Sequence, residues 1–263
     1  MPFATVRGLS MYCEVRGSGP GLLFVGGTGG DLRQKPNIFD SPLAATFTVL
    51  AYDQRGLGRT DVPDGPYTMA GYAEDANALL DAVSWESCHI VGASFGGMVA
   101  AEVAATNPER VGKLVLIDPI GLWRDDHPVR NWMMIGFADL PKYLFADQNG
   151  PLAQMMTAAA ASAMKNGGEA VLESQMQLMW SLACTAKFVW PIPDKGLKKR
   201  LHRIGAPALV LWGDGDRANP VVYAEDWQRR IKGAALRLLP GGHMVLHEAP
   251  EAAAAAVVEF LGP

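Results

Sequence analysis

The chain is predicted to fold as an α/β protein with a mostly parallel, eight-stranded sheet flanked by helices. Three observations carry that prediction. Short aliphatic runs alternate with helical patterns along most of the 263 residues. The stretch Gly92-Ala93-Ser94-Phe95-Gly96 joins one such run to a helix, and two later runs end in an acid and a histidine. Parallel strands need long crossovers, and helical crossovers cover both faces of a sheet.

The elements follow in order. Strands near 3–7 and 10–16, joined by Gly8-Leu9, read as an antiparallel hairpin. The apolar runs at 21–26 and 47–53 come next, then a helical pattern from Thr68 to Val83. Cys88-His89-Ile90-Val91 opens a strand at 88–93, Phe95 to Thr106 reads as a helix, and 113–118 is a sixth strand. After a long interval come a strand at 207–213, a helix from Val221 to Ile231, a strand at 234–239 and a helix from Pro250 to Leu261.

The interval, from Gly121 to His202, shows helical apolar spacing and no strand period. It is predicted to be a helical cap (121–202) inserted after the sixth strand into a core of 1–120 and 203–263. Seven of the 12 methionines and four of the seven tryptophans fall there, which marks it as the apolar, adaptable wall of a pocket. Trp123, Trp132, Met133, Met179, Trp180 and Trp190 are the candidate substrate contacts, with Met244 beside the histidine described next.

Gly92-Ala93-Ser94-Phe95-Gly96 has the form of a strained strand-to-helix turn that exposes a serine. A hydroxyl is a poor nucleophile near neutral pH, so Ser94 needs a histidine base and an acid to orient it. Asp216 follows the buried-looking strand Ala208-Leu209-Val210-Leu211-Trp212, and His243 follows the strand at 234–239 through Pro240-Gly241-Gly242. Ser94, Asp216 and His243 are therefore the candidate nucleophile, acid and base. Asp214 and Asp118, the latter ending the sixth strand, are alternative acids, and His247, His89, His202 and His127 are read as less suited to the base.

These residues, in this order, resemble the α/β-hydrolase family. The likeness extends to Gly26-Gly27-Thr28-Gly29-Gly30, where that family has its oxyanion loop, to Asp53-Gln54-Arg55-Gly56-Leu57-Gly58-Arg59-Thr60-Asp61, and to Glu248-Ala249-Pro250 after the histidine. The resemblance implies an oxyanion hole from the backbone N–H groups of Phe95 and Thr28, with Gly27 as the rival because Gly26-Gly27 replaces the commoner His-Gly. Serine at position 94, where dehalogenases and epoxide hydrolases have aspartate, implies hydrolysis of a carboxylic ester or lactone. Gly65-Pro66-Tyr67-Thr68-Met69 looks like the corresponding segment of enol-lactonases. The alternatives are a carbon–carbon bond hydrolase acting on a vinylogous diketone, suggested by Ser94-Phe95-Gly96-Gly97, and a small-molecule receptor that retains the triad. The carbon–carbon reaction calls for a cation to bind a substrate carboxylate, with Arg124, Arg130 and Lys187 as candidates.

Composition narrows the partners. A net charge of -4 and a pI near 5.7 argue against nucleic acid, and the basic stretch from Lys195 to Arg203 reads as a solvated helix face. Cys13, Cys88 and Cys184 are too dispersed for a disulfide framework or a zinc site, and no metal or cofactor is expected. No apolar run approaches a membrane span and the first residues lack a signal-peptide pattern, so a cytoplasmic monomer or homodimer is expected, acting on an apolar or aromatic small molecule.

Overall fold

The strands are β1 (Phe3–Val6), β2 (Leu9–Arg16), β3 (Gly21–Val25), β4 (Thr48–Tyr52), β5 (Cys88–Ala93), β6 (Val111–Ile117), β7 (Ala208–Gly213) and β8 (Ala235–Leu239), each within two residues of its predicted place. The helices are α1 (Leu43–Thr46), α2 (Met69–Ala82), α3 (Phe95–Thr106), α4 (Leu140–Leu144), α5 (Pro151–Asn166), α6 (Glu169–Val189), α7 (Val222–Arg230), α8 (Val245–Glu248) and α9 (Pro250–Leu261). The computed structural model describes residues 2–65, 67–136, 138–166 and 168–262.

The strands form one sheet in the order β1-β2-β4-β3-β5-β6-β7-β8. β2 pairs antiparallel with both β1 and β4, while the remaining pairs are parallel. Burial explains why the central runs are continuously apolar. Leu23, Leu50, Ile90, Leu114, Val210 and Trp212 pack on one face, and Leu22, Val49, Val91, Val115, Leu209 and Leu211 on the other, so neither parity of the strand period is left in water. α2, α3 and α7 contribute to the first core, and α1 and α9 to the second.

Helix starts follow local chemistry. Thr68 caps α2 by accepting a hydrogen bond from the Gly71 N–H at 3.0 Å. α3 has no side-chain cap, because the residue before it is Ser94, at φ 53° and ψ -117°.

Between β6 and β7 the chain forms a 3-10 turn at Trp132–Met134 and then α4, α5 and α6. The C-terminal part of α6 packs on α2 and α3: Phe188 lies against Tyr72 and Phe95, with ring centroids 5.5 and 5.3 Å away. Farther up the helix, Trp180 Nε1 donates to the Gly56 carbonyl at 3.0 Å.

The stretch 195–203 corrects one expectation. It is two 3-10 turns rather than one solvated helix face, with Leu197 and Leu201 fully buried and Arg200 reaching Glu102 of α3 at 2.8 Å. Among the described residues no helix is long and apolar enough to cross a membrane.

Candidate active site

The C-terminal ends of β3, β5, β6, β7 and β8 share one edge of the sheet, and the loops leaving them carry the candidate residues. Ser94 leaves β5. Its positive φ is a strained conformation for a residue with a Cβ, costing about 1–3 kcal/mol. Surroundings hold it there: the Ser94 N–H donates to the Ile117 carbonyl at 2.8 Å, and its own carbonyl accepts from Gly97 and Ile120. The turn also demands glycine on either side. A Cβ on Gly96 would overlap the carbonyl oxygens of Val25 and Gly26, and one on Gly92 would overlap the Gly96 carbonyl.

His243 Nε2 lies 2.9 Å from Ser94 Oγ, and His243 Nδ1 lies 2.7 Å from Asp216 Oδ2. An ionised carboxylate only accepts, so Nδ1 carries the proton and Nε2 presents its lone pair to the serine hydroxyl. The other oxygen of Asp216 accepts from the Ala218 and Asn219 N–H groups, both at 2.8 Å. Asp216 is 7% exposed and His243 9%, so the acid–base pair is shielded from water, while Ser94 is partly exposed. Low local dielectric strengthens such charged contacts.

The alternative acids have other partners. Asp214 accepts from the Gly241 N–H and so braces the histidine loop. Asp118 is buried at φ 44°; its Oδ1 accepts from the Gly213 N–H at 2.9 Å, and its Oδ2 has no partner among the described residues. Burial, and then the neighbouring charge of Asp216, holds its carboxyl well above the usual range and favours the neutral form. The other histidines stand apart: burial pushes the imidazoles of His247 and His89 down, and His127 faces Asp126.

The glycine-rich loop after β3 lies against the serine. A Cβ on Gly27 would sit 3.3 Å from Ser94 Cβ. Phe95 is the first residue of α3, and first-turn N–H groups have no partner within a helix. Its ring is buried against Tyr72 and Phe188.

The predicted apolar contacts divide. Trp132 is 8% exposed, and its ring lies 5.6 Å from that of His243. Met244, partly buried, follows the histidine and donates its N–H to the Leu144 carbonyl. Trp123 instead lines a small polar cleft with Arg124, Lys198, Asp226 and Arg230. Met179, Trp180 and Trp190 are about half exposed, and the side chain of Met133 lies outside the described residues. Trp180 lines a groove of about 590 Å³ with Val62, Leu172 and Met176.

Three contributions had little or no signal in the sequence. Glu248 accepts from the N–H groups of Ala146 and Asp147 at 2.9 and 3.0 Å and from that of Gly242, tying the insertion to the histidine loop. Asn219 bonds Asp216 through its N–H and the carbonyls of Asp118 and Pro119 through its side chain. Gln54, fully buried, donates to the Gly26 carbonyl. Only the position of Glu248 before Ala249-Pro250 hinted at any of these.

Residues 20–149 match the family described as alpha/beta hydrolase fold. A poly(3-hydroxyalkanoate) depolymerase of Ectopseudomonas oleovorans is 28% identical over 91% of this chain and 83% of its own length. The enol-lactonase of Burkholderia xenovorans LB400 superposes with a TM-score of 0.77 at 22% identity, covering all of both chains. A 2-hydroxy-6-oxo-6-phenylhexa-2,4-dienoate hydrolase of Rhodococcus sp. strain RHA1 gives 0.73 at 22%, over 97% of this chain and 95% of its own. At such identities the two structural likenesses speak for the fold alone.

Proposed function

We propose, from the α/β-hydrolase fold that the chain shares with these structures, that it is a serine hydrolase cleaving a carboxylic ester or lactone of an apolar or aromatic small molecule. The observation that carries this reading is the hydrogen-bonded series Ser94, His243, Asp216, with links of 2.9 and 2.7 Å and with the histidine and the acid buried.

In this mechanism Ser94 Oγ attacks the carbonyl carbon while His243 Nε2 takes its proton. Asp216 holds the imidazole in the required tautomer and stabilises the imidazolium. Negative charge developing on the carbonyl oxygen meets the N–H of Phe95 and that of Thr28 or Gly27, each such donor typically lowering the barrier by roughly 3 kcal/mol. The tetrahedral adduct collapses, the proton on His243 passes to the leaving alcohol oxygen, and an acyl-enzyme remains on Ser94. Water, deprotonated by His243, then releases the acid and restores the serine.

Residues 121–202 act as a cap over the core of 1–120 and 203–263, with Trp132 closing the histidine side of the pocket. A carbon–carbon hydrolase reading calls for a cation to receive a substrate carboxylate. Arg124 is already engaged by Asp126 and Asp226, and Arg130 lies over the Tyr143 ring, which favours the ester reading; the side chain of Lys187 lies outside the described residues.

The test is turnover of p-nitrophenyl esters of graded chain length by the wild type, Ser94→Ala and His243→Ala. Turnover that falls by about 10⁴–10⁶ in both variants is the expected result. A wild type inert toward every ester and lactone tried, or variants as active as the wild type, would end this reading.

A further inference from the structure

The loop expected to supply the oxyanion hole has one internal hydrogen bond, from the Gly30 N–H to the Gly27 carbonyl at 3.3 Å, and little else of its own to hold it. Gly26-Gly27-Thr28-Gly29-Gly30 has a single side chain beyond hydrogen in five residues, and glycine loses more conformational freedom on ordering than any other residue. An oxyanion hole requires donors that are in place before charge develops. Something outside the loop has to aim its N–H groups.

Gln54 meets that requirement. It leaves β4, the parallel neighbour of β3, and its side chain reaches back under the loop, where Nε2 donates to the Gly26 carbonyl at 2.8 Å. The Gly26 carbonyl and the Gly27 N–H belong to one planar trans peptide and point in opposite directions. Holding the oxygen therefore fixes the direction of the Gly27 N–H, at the residue whose Cα borders Ser94. The next peptide is held within the loop: the Gly27 carbonyl accepts from the Gly30 N–H at 3.3 Å, which turns the Thr28 N–H the opposite way. Gln54 thus aims the Gly27 N–H directly, while the Thr28 N–H is turned by the loop's own bond.

Two further features set Gln54 apart from an ordinary core residue. It is 1% exposed, yet its Oε1 has no hydrogen-bond partner among the described residues. Burying an unsatisfied acceptor costs about 1–3 kcal/mol, so an apolar side chain of similar size would suit stability better. Second, Gly96 of α3 closes on the Gly26 carbonyl from the other side, leaving no room for a Cβ. The carbonyl is held between the helix that begins beside the nucleophile and the amide of Gln54.

Resting on the serine hydrolase reading above, we propose that Gln54 is the positioning residue of the oxyanion hole, acting through the Gly26–Gly27 peptide without touching the substrate. It differs from Asp53, whose carboxylate holds the Leu32 and Arg59 N–H groups and so ties the same two loops together farther from the serine.

The experiment compares wild type, Gln54→Leu and Gln54→Glu in hydrolysis of a p-nitrophenyl ester and in inhibition by a trifluoromethyl ketone, which adds to a serine to give a stable tetrahedral oxyanion. In Gln54→Leu, kcat is expected to fall about 10–100-fold, below the 10²–10³ of an outright lost donor, with KM within about threefold. Ketone affinity should fall by the same factor as kcat. In Gln54→Glu the introduced carboxyl can donate to Gly26 only when protonated, so its activity relative to wild type should recover as pH falls. A purely structural role predicts a lower melting temperature without a matched loss of ketone affinity or a pH-dependent rescue, and that result would overturn the proposal, as would full kcat in Gln54→Leu. A wild type that neither turns over the ester nor binds the ketone would instead end the hydrolase reading on which this one rests.

Discussion

The sheet core and the helical insertion are built from the same kinds of apolar residue but place them differently. In the core Leu50, Ile90, Phe95, Trp212 and Trp227 are fully buried. In the insertion Met134, Met155, Leu172, Met176, Met179, Trp180, Trp190 and Ile192 are between 41% and 79% exposed. Of these, Leu172, Met176 and Trp180 share one groove with Val62, whereas the buried residues of the core report packing. The core is thus shaped to hold three strand-end loops in register, and the insertion is shaped to present adaptable surface beside them.

The largest difference expected between the two regions is in stability. Leu50→Ala, which opens a cavity in the core on one face of the sheet, should cost about 2–5 kcal/mol in urea unfolding. Met176→Ala, on the exposed face of α6, should change it by no more than about 0.5 kcal/mol. Equal losses would mean that the insertion packs as tightly as the core and would remove the contrast.

The seam between the regions is the next test. Glu248 gathers three N–H groups, two from the insertion and one adjoining His243, and hydrogen bonds to charged groups contribute about 1.5–3 kcal/mol each. Glu248→Gln puts an NH₂ group where one acceptor oxygen was. It should cost about 1–3 kcal/mol in unfolding and lower kcat, because the loop carrying His243 loses its brace. Unchanged kcat alongside reduced stability would show that the histidine is held independently of the insertion.

The smallest effect is expected at Asp118, where the core tolerates a buried carboxyl with one unpartnered oxygen. Its pKa in the folded state is raised, so the stability tied to its proton is complete below the unfolded value of about 3.9 and is lost as pH rises toward the folded value. Asp118→Asn mimics the neutral form and keeps the acceptor for the Gly213 N–H. Melting temperatures of variant and wild type should coincide near pH 4, with the variant the more stable as pH rises. A variant less stable at pH 8 would mean that the carboxylate form is the one the core prefers.

Strand positions and the longer helices outside the insertion were legible because buried parallel strands leave continuous apolar runs, their crossover helices leave a helical period, and glycines mark turns where backbones meet; the four-residue α1 and α8 were not predicted. Ser94, Asp216 and His243 could be proposed from the ends of those strands. The insertion gave no such purchase. Helical spacing identified it as helical, but which of its tryptophans faces His243 depends on how α4, α5 and α6 lie on the sheet. Trp132 reaches that ring, while Trp123, with the same composition-based claim, lines a separate cleft.

By itself, then, the sequence determined the α/β architecture and the strand-end positions of a serine, an acid and a histidine, since hydrophobic period and turn chemistry are local properties of the chain. Tertiary structure alone decided that His243 bonds Asp216 rather than Asp214 or Asp118, that Glu248 joins the insertion to the histidine loop, and that Gln54 reaches the Gly26 carbonyl. The bonds from His243 to Asp216, Gln54 to Gly26 and Ala146 to Glu248 join groups 27, 28 and 102 residues apart, brought together by the order of the strands. No local pattern encodes such a distance, because it arises only when the sheet closes.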